Sequence, residues 1–196
     1  MLYGFRFRAC LFLAFLALLA SIAENLKLYL RVPFLLFISI LIISIISTVA
    51  VRSLPRFGAA LGFGIMWLLF DVIIHLRYSF YHLDSWRPAH FLPALLSIVV
   101  WDVVLSICGR RAWSYYPAEA LRHVANDIFR AIFVVSHFGG EYRSLGDMLS
   151  LVRLYPAIIG MIGCWSGLTL FNNILSHFEW IRSLPFRENQ LQQPNS

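Results

Sequence analysis

The residues of this chain most able to do chemistry fall within one short stretch. Glu119, Arg122, His123, Asn126, Asp127, Arg130 and His137 are spaced by three, four and seven, so a helix carries most of them on one face. Leu121, Val124, Ala125, Ile128 and Ile132 fall on the other. Carboxylates, guanidiniums and imidazoles so arranged can pair with one another, hold water, or set the field along an ion path. In an apolar helix each costs several kcal/mol unless paired or hydrated, so each is a candidate for function. Three readings are open: a spanning helix lining a water-filled ion path, a spanning helix whose charges pair structurally, or a helix lying flat on the membrane with its Arg side chains snorkelling to headgroups. Asp127 and Arg130 have the i, i+3 spacing of an intrahelical ion pair.

Other candidates are sparser. Asp71, His75 and Asp102 are single ionisable residues inside apolar runs, and with Glu119 and Arg122 the two Asp are expected as buried charge partners. Gly160, Gly163 and Gly167 occupy one segment. Their spacing suits either close helix packing or a glycine-permitted bend that turns backbone carbonyls toward a cavity. His75, His82 and His90 lack a metal-binding spacing, and no metal or cofactor is expected. Neither a hydrolase nucleophile motif nor a phosphate loop nor a dinucleotide fingerprint is present, so the chain is not expected to be an enzyme. Cys10, Cys108 and Cys164 are too few and too widely spaced for a disulfide framework.

These residues need elements to hold them, and composition says what kind. The chain has 196 residues, 60% hydrophobic and only 13% charged, with mean hydropathy +0.73. Soluble chains carry about 25% charged residues. An all-α, polytopic transmembrane bundle of about six spans is expected, each span near the ~20 residues that cross a bilayer core. The apolar runs are 9–23, 32–51, 57–76, 91–108, the polar-faced 117–138, and 151–175, the last broken by Pro156. Residues 1–180 form one transmembrane domain, and 181–196 a polar, disordered tail. The run 9–23, after Arg6 and Arg8, also has the shape of a signal peptide; a first membrane helix is the favoured reading. Of the 16 basic residues all but Lys27 are Arg, scattered singly or in pairs, which favours anionic lipid over nucleic acid as partner. Counting them by loop gives eight beside the termini and six opposite, a slight preference for cytoplasmic termini. Residues 70–74 echo 101–105, a hint of internal repetition.

The fifth and sixth segments resemble the trimeric intracellular cation channels. In that family a proline precedes a Lys-Glu-Val-x-Arg motif by nine residues. Pro117 stands at that spacing from Asn126-Asp127-Ile128-Phe129-Arg130, with Asn126 in place of the lysine. Ser136, His137 and Gly139 are similar to the turn that follows. Gly160, Gly163, Gly167, Asn172 and Phe178-Glu179 are similar to the family's glycine-broken next helix. Asp102 resembles an Asp closing the preceding helix, and Phe70-Asp71 with His75 is similar to residues near the family's start. The resemblance covers roughly residues 89–180. It implies a homotrimer of independently conducting protomers in the endoplasmic or sarcoplasmic reticulum membrane. Each would pass monovalent cations, chiefly potassium, as counter-ion flux for calcium release. Asn126, Asp127, Arg130 and the three glycines would be the pore or gating residues. The alternative is a non-catalytic structural subunit of a large organellar membrane complex, with the polar stripe paired to a neighbouring subunit.

Overall fold

The structure is a computed structural model and describes residues 7–30, 34–54, 57–79, 88–138 and 154–178. Among these residues it is all-helical, with no strand. Six long helices follow one another: α1 (Phe7–Leu30), α2 (Phe34–Ser53), α3 (Ala59–Ser79), α4 (Pro88–Ile107), α5 (Tyr115–Phe138) and α6 (Tyr155–Asn173). Short 3₁₀ turns precede α5 at Ala112–Ser114 and follow α6 at Leu175–His177. The Ile/Val/Ser-rich segment α2 would favour a strand by propensity alone. It forms a 20-residue helix, since a helix satisfies its own backbone and then needs nothing from its neighbours.

Two boundaries shift from expectation. Pro156 does not break the sixth segment; it lies in the first turn of α6, where the missing N–H is one the helix cannot use anyway. Among the described residues, two helical stretches, Leu36–Ser53 and Tyr155–His177, are both long and apolar enough to cross a membrane, against the six spans expected. Helices α1, α3 and α4 carry shorter apolar stretches, Ala9–Asn25, Ala59–Ile74 and Leu92–Ile107, interrupted or flanked by Glu24, Asp71, Pro93 and Asp102. Helix α5 is excluded by the charges on its polar face. The expected tail 181–196, the loop 139–147 and most of the 77–90 connection lie outside the described residues, as do residues 1–6 and the side chains of His75 and His137.

The helices pack as a closed ring in the order α1–α2–α6–α5–α4–α3, with α2 and α3 also touching each other across it. That cross-contact divides the interior into two cores. One lies among α1, α2 and α3, where Leu13, Ala17, Ala20, Val49, Ala50 and Phe63 meet. The other lies among α2 to α6, built on Leu68, Ile98, Trp101, Leu105, Tyr115, Cys164 and Leu168. Small residues set the closest approaches. A Cβ on Gly163 would stand 2.7 Å from Ser44 Cβ and 2.8 Å from the Leu41 carbonyl oxygen, and one on Gly167 2.8 Å from the Ile45 carbonyl oxygen. Both glycines therefore seat α6 directly on the backbone of α2, as small-residue seams do.

The outside is as informative as the inside. Leu11, Phe15, Leu19 and Ile22 expose themselves along α1, and Ile65, Leu69 and Ile73 along α3. Leu92, Leu96, Val99, Val103 and Ile107 do so along α4, and Ile158, Ile162 and Trp165 along α6. These are apolar stripes at helical spacing facing outward. Facing inward are Ser21, Asn25, Ser44, Ser47, Thr48, Ser97, Asp102, Glu119 and Arg122. The outer helix faces of a soluble bundle are mainly polar instead.

Candidate functional site

Helix α5 places its polar face inward. It is a continuous 24-residue helix packed between α4 and α6. Glu119 is fully buried, and Arg122 is 7% exposed. They form a two-pronged pair: Arg122 Nε donates to Glu119 Oε2 at 3.0 Å, and Nη2 to Oε1 at 2.5 Å. The fork geometry is the strong form of this interaction. His123 Nε2 lies 3.4 Å from Glu119 Oε1 and 3.1 Å from Arg122 Nη2. From α4, the Trp101 ring sits 5.4 Å from the Arg122 guanidinium carbon, close enough for a cation–π contact. From α6, Gly160 completes the cluster: a Cβ there would come within 2.5 Å of the His123 ring. Gly160 thus makes room for the imidazole.

Further along α5 the polar stripe emerges. Asn126 and Asp127 are half-buried and Arg130 is exposed, whereas Leu121, Ile128 and Ile132 face outward at 46%, 41% and 55% exposure. Arg130 shares the azimuth of Glu119, three helical turns on. It is uncovered because α6 runs antiparallel to α5 and starts at Tyr155, five residues before Gly160, so its cover ends there. Within the cluster, Glu119 and Arg122 form an i, i+3 ion pair. Of the six expected pore residues, Gly160 meets the cluster, Asn126, Asp127 and Arg130 extend its stripe, and Gly163 and Gly167 serve the α2 seam instead.

A second polar cluster, at one end of the bundle, was only partly legible in the sequence. Asp102 is buried near the end of α4 and caps the start of α3. Its Oδ2 accepts the Gly58 N–H at 2.7 Å and the Leu61 N–H at 3.4 Å, the usual service of an acidic residue to a helix N-terminus. Its Oδ1 pairs with Arg110 Nη2. The chain can present Arg110 inward because Gly109 (φ +72°) and Arg110 (φ +52°) both adopt left-handed backbone; glycine makes the first of these inexpensive. Arg52, from the end of α2, donates through Nη1 to the Arg110 carbonyl at 3.2 Å and lies 5.8 Å from the Tyr115 ring centroid. Sequence reasoning found Asp102 as a buried acid but missed Arg52, Arg110 and Tyr115.

Asp71, in contrast, stands apart from both clusters. Its Oδ1 accepts from Asn25 Nδ2 at 2.9 Å, and the same amide donates to the Ser21 carbonyl at 2.8 Å, tying α3 to α1. Asp71 and Asp102 therefore do different work despite their similar sequence surroundings. Among the described residues, no group of three or more His, Cys, Asp or Glu could hold a metal ion. No family model, curated protein or solved structure matches this chain.

Proposed function

We propose that the chain is a polytopic membrane protein with all six helices embedded in lipid, and that it conducts monovalent cations, with potassium the chief ion, along α5. The observation that carries the reading is the inverted polarity of α5: Glu119 and Arg122 are buried in the bundle while Leu121, Ile128 and Ile132 face out. Lipid tolerates that outer surface and water does not. Within the stripe, Asp127 is the acidic group nearest the exposed Arg130, so it is the group to attract a cation to the α6 N-terminal side. Glu119, Arg122 and His123 close the stripe at its inner end, and opening requires this set to move aside with the Glu119–Arg122 pair intact. An Arg beside a cation path must stay paired or it repels the ion, and Arg122 is paired here. Counter-ion flux across the endoplasmic or sarcoplasmic reticulum membrane, and a homotrimer, are what the resemblance to the trimeric intracellular cation channels adds.

The test is current recording on purified protein in planar bilayers. Potassium-selective currents, altered by Asp127→Asn or Arg130→Ala, are expected. Silent bilayers with well-folded protein would sink the reading. The second reading, a non-catalytic subunit of a membrane complex, is favoured by one observation. Gly163 and Gly167 are occupied by packing on α2, as in a structural seam between helices. Stable co-purification with a fixed set of other membrane subunits would replace the channel reading.

A further inference from the structure

The end of the bundle where α2, α4 and α5 meet holds buried donors with no acceptor at hydrogen-bond distance. Asp102 is the carboxylate there, and its two oxygens are already engaged by Gly58, Leu61 and Arg110. Three donors remain. Arg110 is 8% exposed, and its Nη1 has no hydrogen-bond partner. Tyr115 is fully buried, and its hydroxyl has none either. Arg52 is held by the Arg110 carbonyl and the Tyr115 ring. It is only partly buried, so the guanidinium borders the surface. The Arg52 side chain also approaches the Tyr115 phenol oxygen as a donor, and Arg110 lies within electrostatic range of it, but the phenol's own O–H has no acceptor at hydrogen-bond distance. Buried donors without acceptors are costly and rare, and each calls for an explanation.

An acceptor-only ligand with negative charge and several oxygens meets this requirement. We propose that a phosphate group binds at this bundle end, held by Arg52 at the surface and reaching Arg110 Nη1 and the Tyr115 hydroxyl behind it. Two guanidiniums and a phenol supply the charge-assisted donors that phosphate oxygens use. The surrounding surface suits a phosphate borne on a lipid: Phe57, Ile107 and Trp113 are 72%, 79% and 55% exposed around it. Nothing in this site depends on cation conduction, and failure of either reading leaves the other standing.

The test uses the full chain, purified in detergent and placed in phosphatidylcholine nanodiscs with and without phosphatidic acid. Retained phosphatidic acid is counted by native mass spectrometry, and affinity is read by fluorescent-lipid titration. Wild type should retain the lipid. Arg52→Gln should weaken it about tenfold, the loss of one charge-assisted contact. Tyr115→Phe, which removes only an unpartnered hydroxyl and so spares the fold, should weaken it by a smaller factor. Arg111→Gln, an exposed neighbour, should leave it unchanged. A parallel thermal-shift titration with inorganic phosphate separates the sources: stabilisation of wild type but not of Arg52→Gln indicates free phosphate, and retention of lipid alone indicates a headgroup. Equal losses in Arg52→Gln and Arg111→Gln would reduce the effect to diffuse surface charge and overturn the proposal. So would no effect of phosphate and no retained phosphatidic acid in wild type.

Discussion

Replacing Glu119 with Leu removes the acid from a fully buried ion pair and leaves Arg122, only 7% exposed, without its carboxylate. Removing one partner of a buried pair costs about 3–5 kcal/mol, because the other charge stays buried and uncompensated. The Trp101 ring returns only about 0.5–2 kcal/mol through its cation–π contact, which wild type already has. His123 cannot substitute for the lost anion, since its imidazole is neutral or positive. The expected loss of about 3–5 kcal/mol corresponds to a fall of roughly 6–20 °C in melting temperature for a chain of this size. The double variant Glu119→Leu/Arg122→Met removes both charges and keeps the volume apolar. It should recover most of the loss, because a buried pair replaced by apolar residues is often neutral or stabilising. Thermal unfolding in detergent, followed by tryptophan fluorescence and size exclusion, measures all three proteins. If Glu119→Leu shifts the midpoint no more than a surface substitution, the pair is hydrated and the buried-cluster reasoning is wrong. If the double variant is as unstable as the single, the cluster is held by packing rather than by charge. Current recordings on the double variant then ask whether the pair also closes the stripe.

Gly163→Ala should cost about 1–3 kcal/mol by forcing α6 off the α2 backbone, whereas Gly62→Ala, whose Cβ meets nothing within 4 Å, should be neutral or stabilise by up to about 1 kcal/mol as a helix-interior Gly→Ala; denaturation midpoints in detergent check both. Asp102→Ala should destabilise more than Asp102→Asn. The alanine strands Arg110 and uncaps α3, a capping loss of about 1 kcal/mol on top of the unpaired charge, and thermal melts rank the two. Ile162→Lys, on the outer face of α6, should reduce recovery in the carbonate-resistant membrane fraction by the equivalent of about 3 kcal/mol of insertion energy; in a soluble bundle the same change would be silent.

How far the sequence could be read depended on which physical effect set each feature. The helices of the described core were legible because hydrophobic runs bounded by Arg, Gly and Pro set their extent, and α2 and α5 fall within a few residues of the runs 32–51 and 117–138. The polar face of α5 was legible because a 3.6-residue period fixes which residues share a face before any neighbour is known. Which way that face points was not. Glu119 at the centre and Arg130 at the rim have the same azimuth and differ only in what covers them. The Asp102 cap was hidden for a different reason. It joins residues more than forty positions apart, and the turn that delivers Arg110 depends on two left-handed residues, of which only Gly109 has a residue type that announces them. Gly163 and Gly167 had two open readings, and the distinction lay on α2, in the carbonyls of Leu41 and Ile45.

The two clusters also bear on one another. Tyr115 begins the helix that carries Glu119 one turn later, and it packs in the same core as Trp101, the residue that lies over Arg122. Trp101 immediately precedes Asp102, which holds Arg110. The phosphate-facing end and the buried Glu119–Arg122 pair are therefore joined by adjacent residues of α4 and by the first turn of α5. A shift of α5 along its axis cannot occur without moving both. If conduction requires α5 to carry the Glu119–Arg122 pair aside, the Arg52–Tyr115–Arg110 end must yield with it. A ligand fixed on Arg52 and Tyr115 would then favour whichever arrangement of α5 it binds more tightly, by no more than its difference in affinity for the two. Phosphatidic acid should therefore change open probability in wild type and leave it unchanged in Tyr115→Phe, if both the path and the phosphate site are real. An equal lipid response in the two proteins would separate the sites and leave the bundle end as a structural anchor.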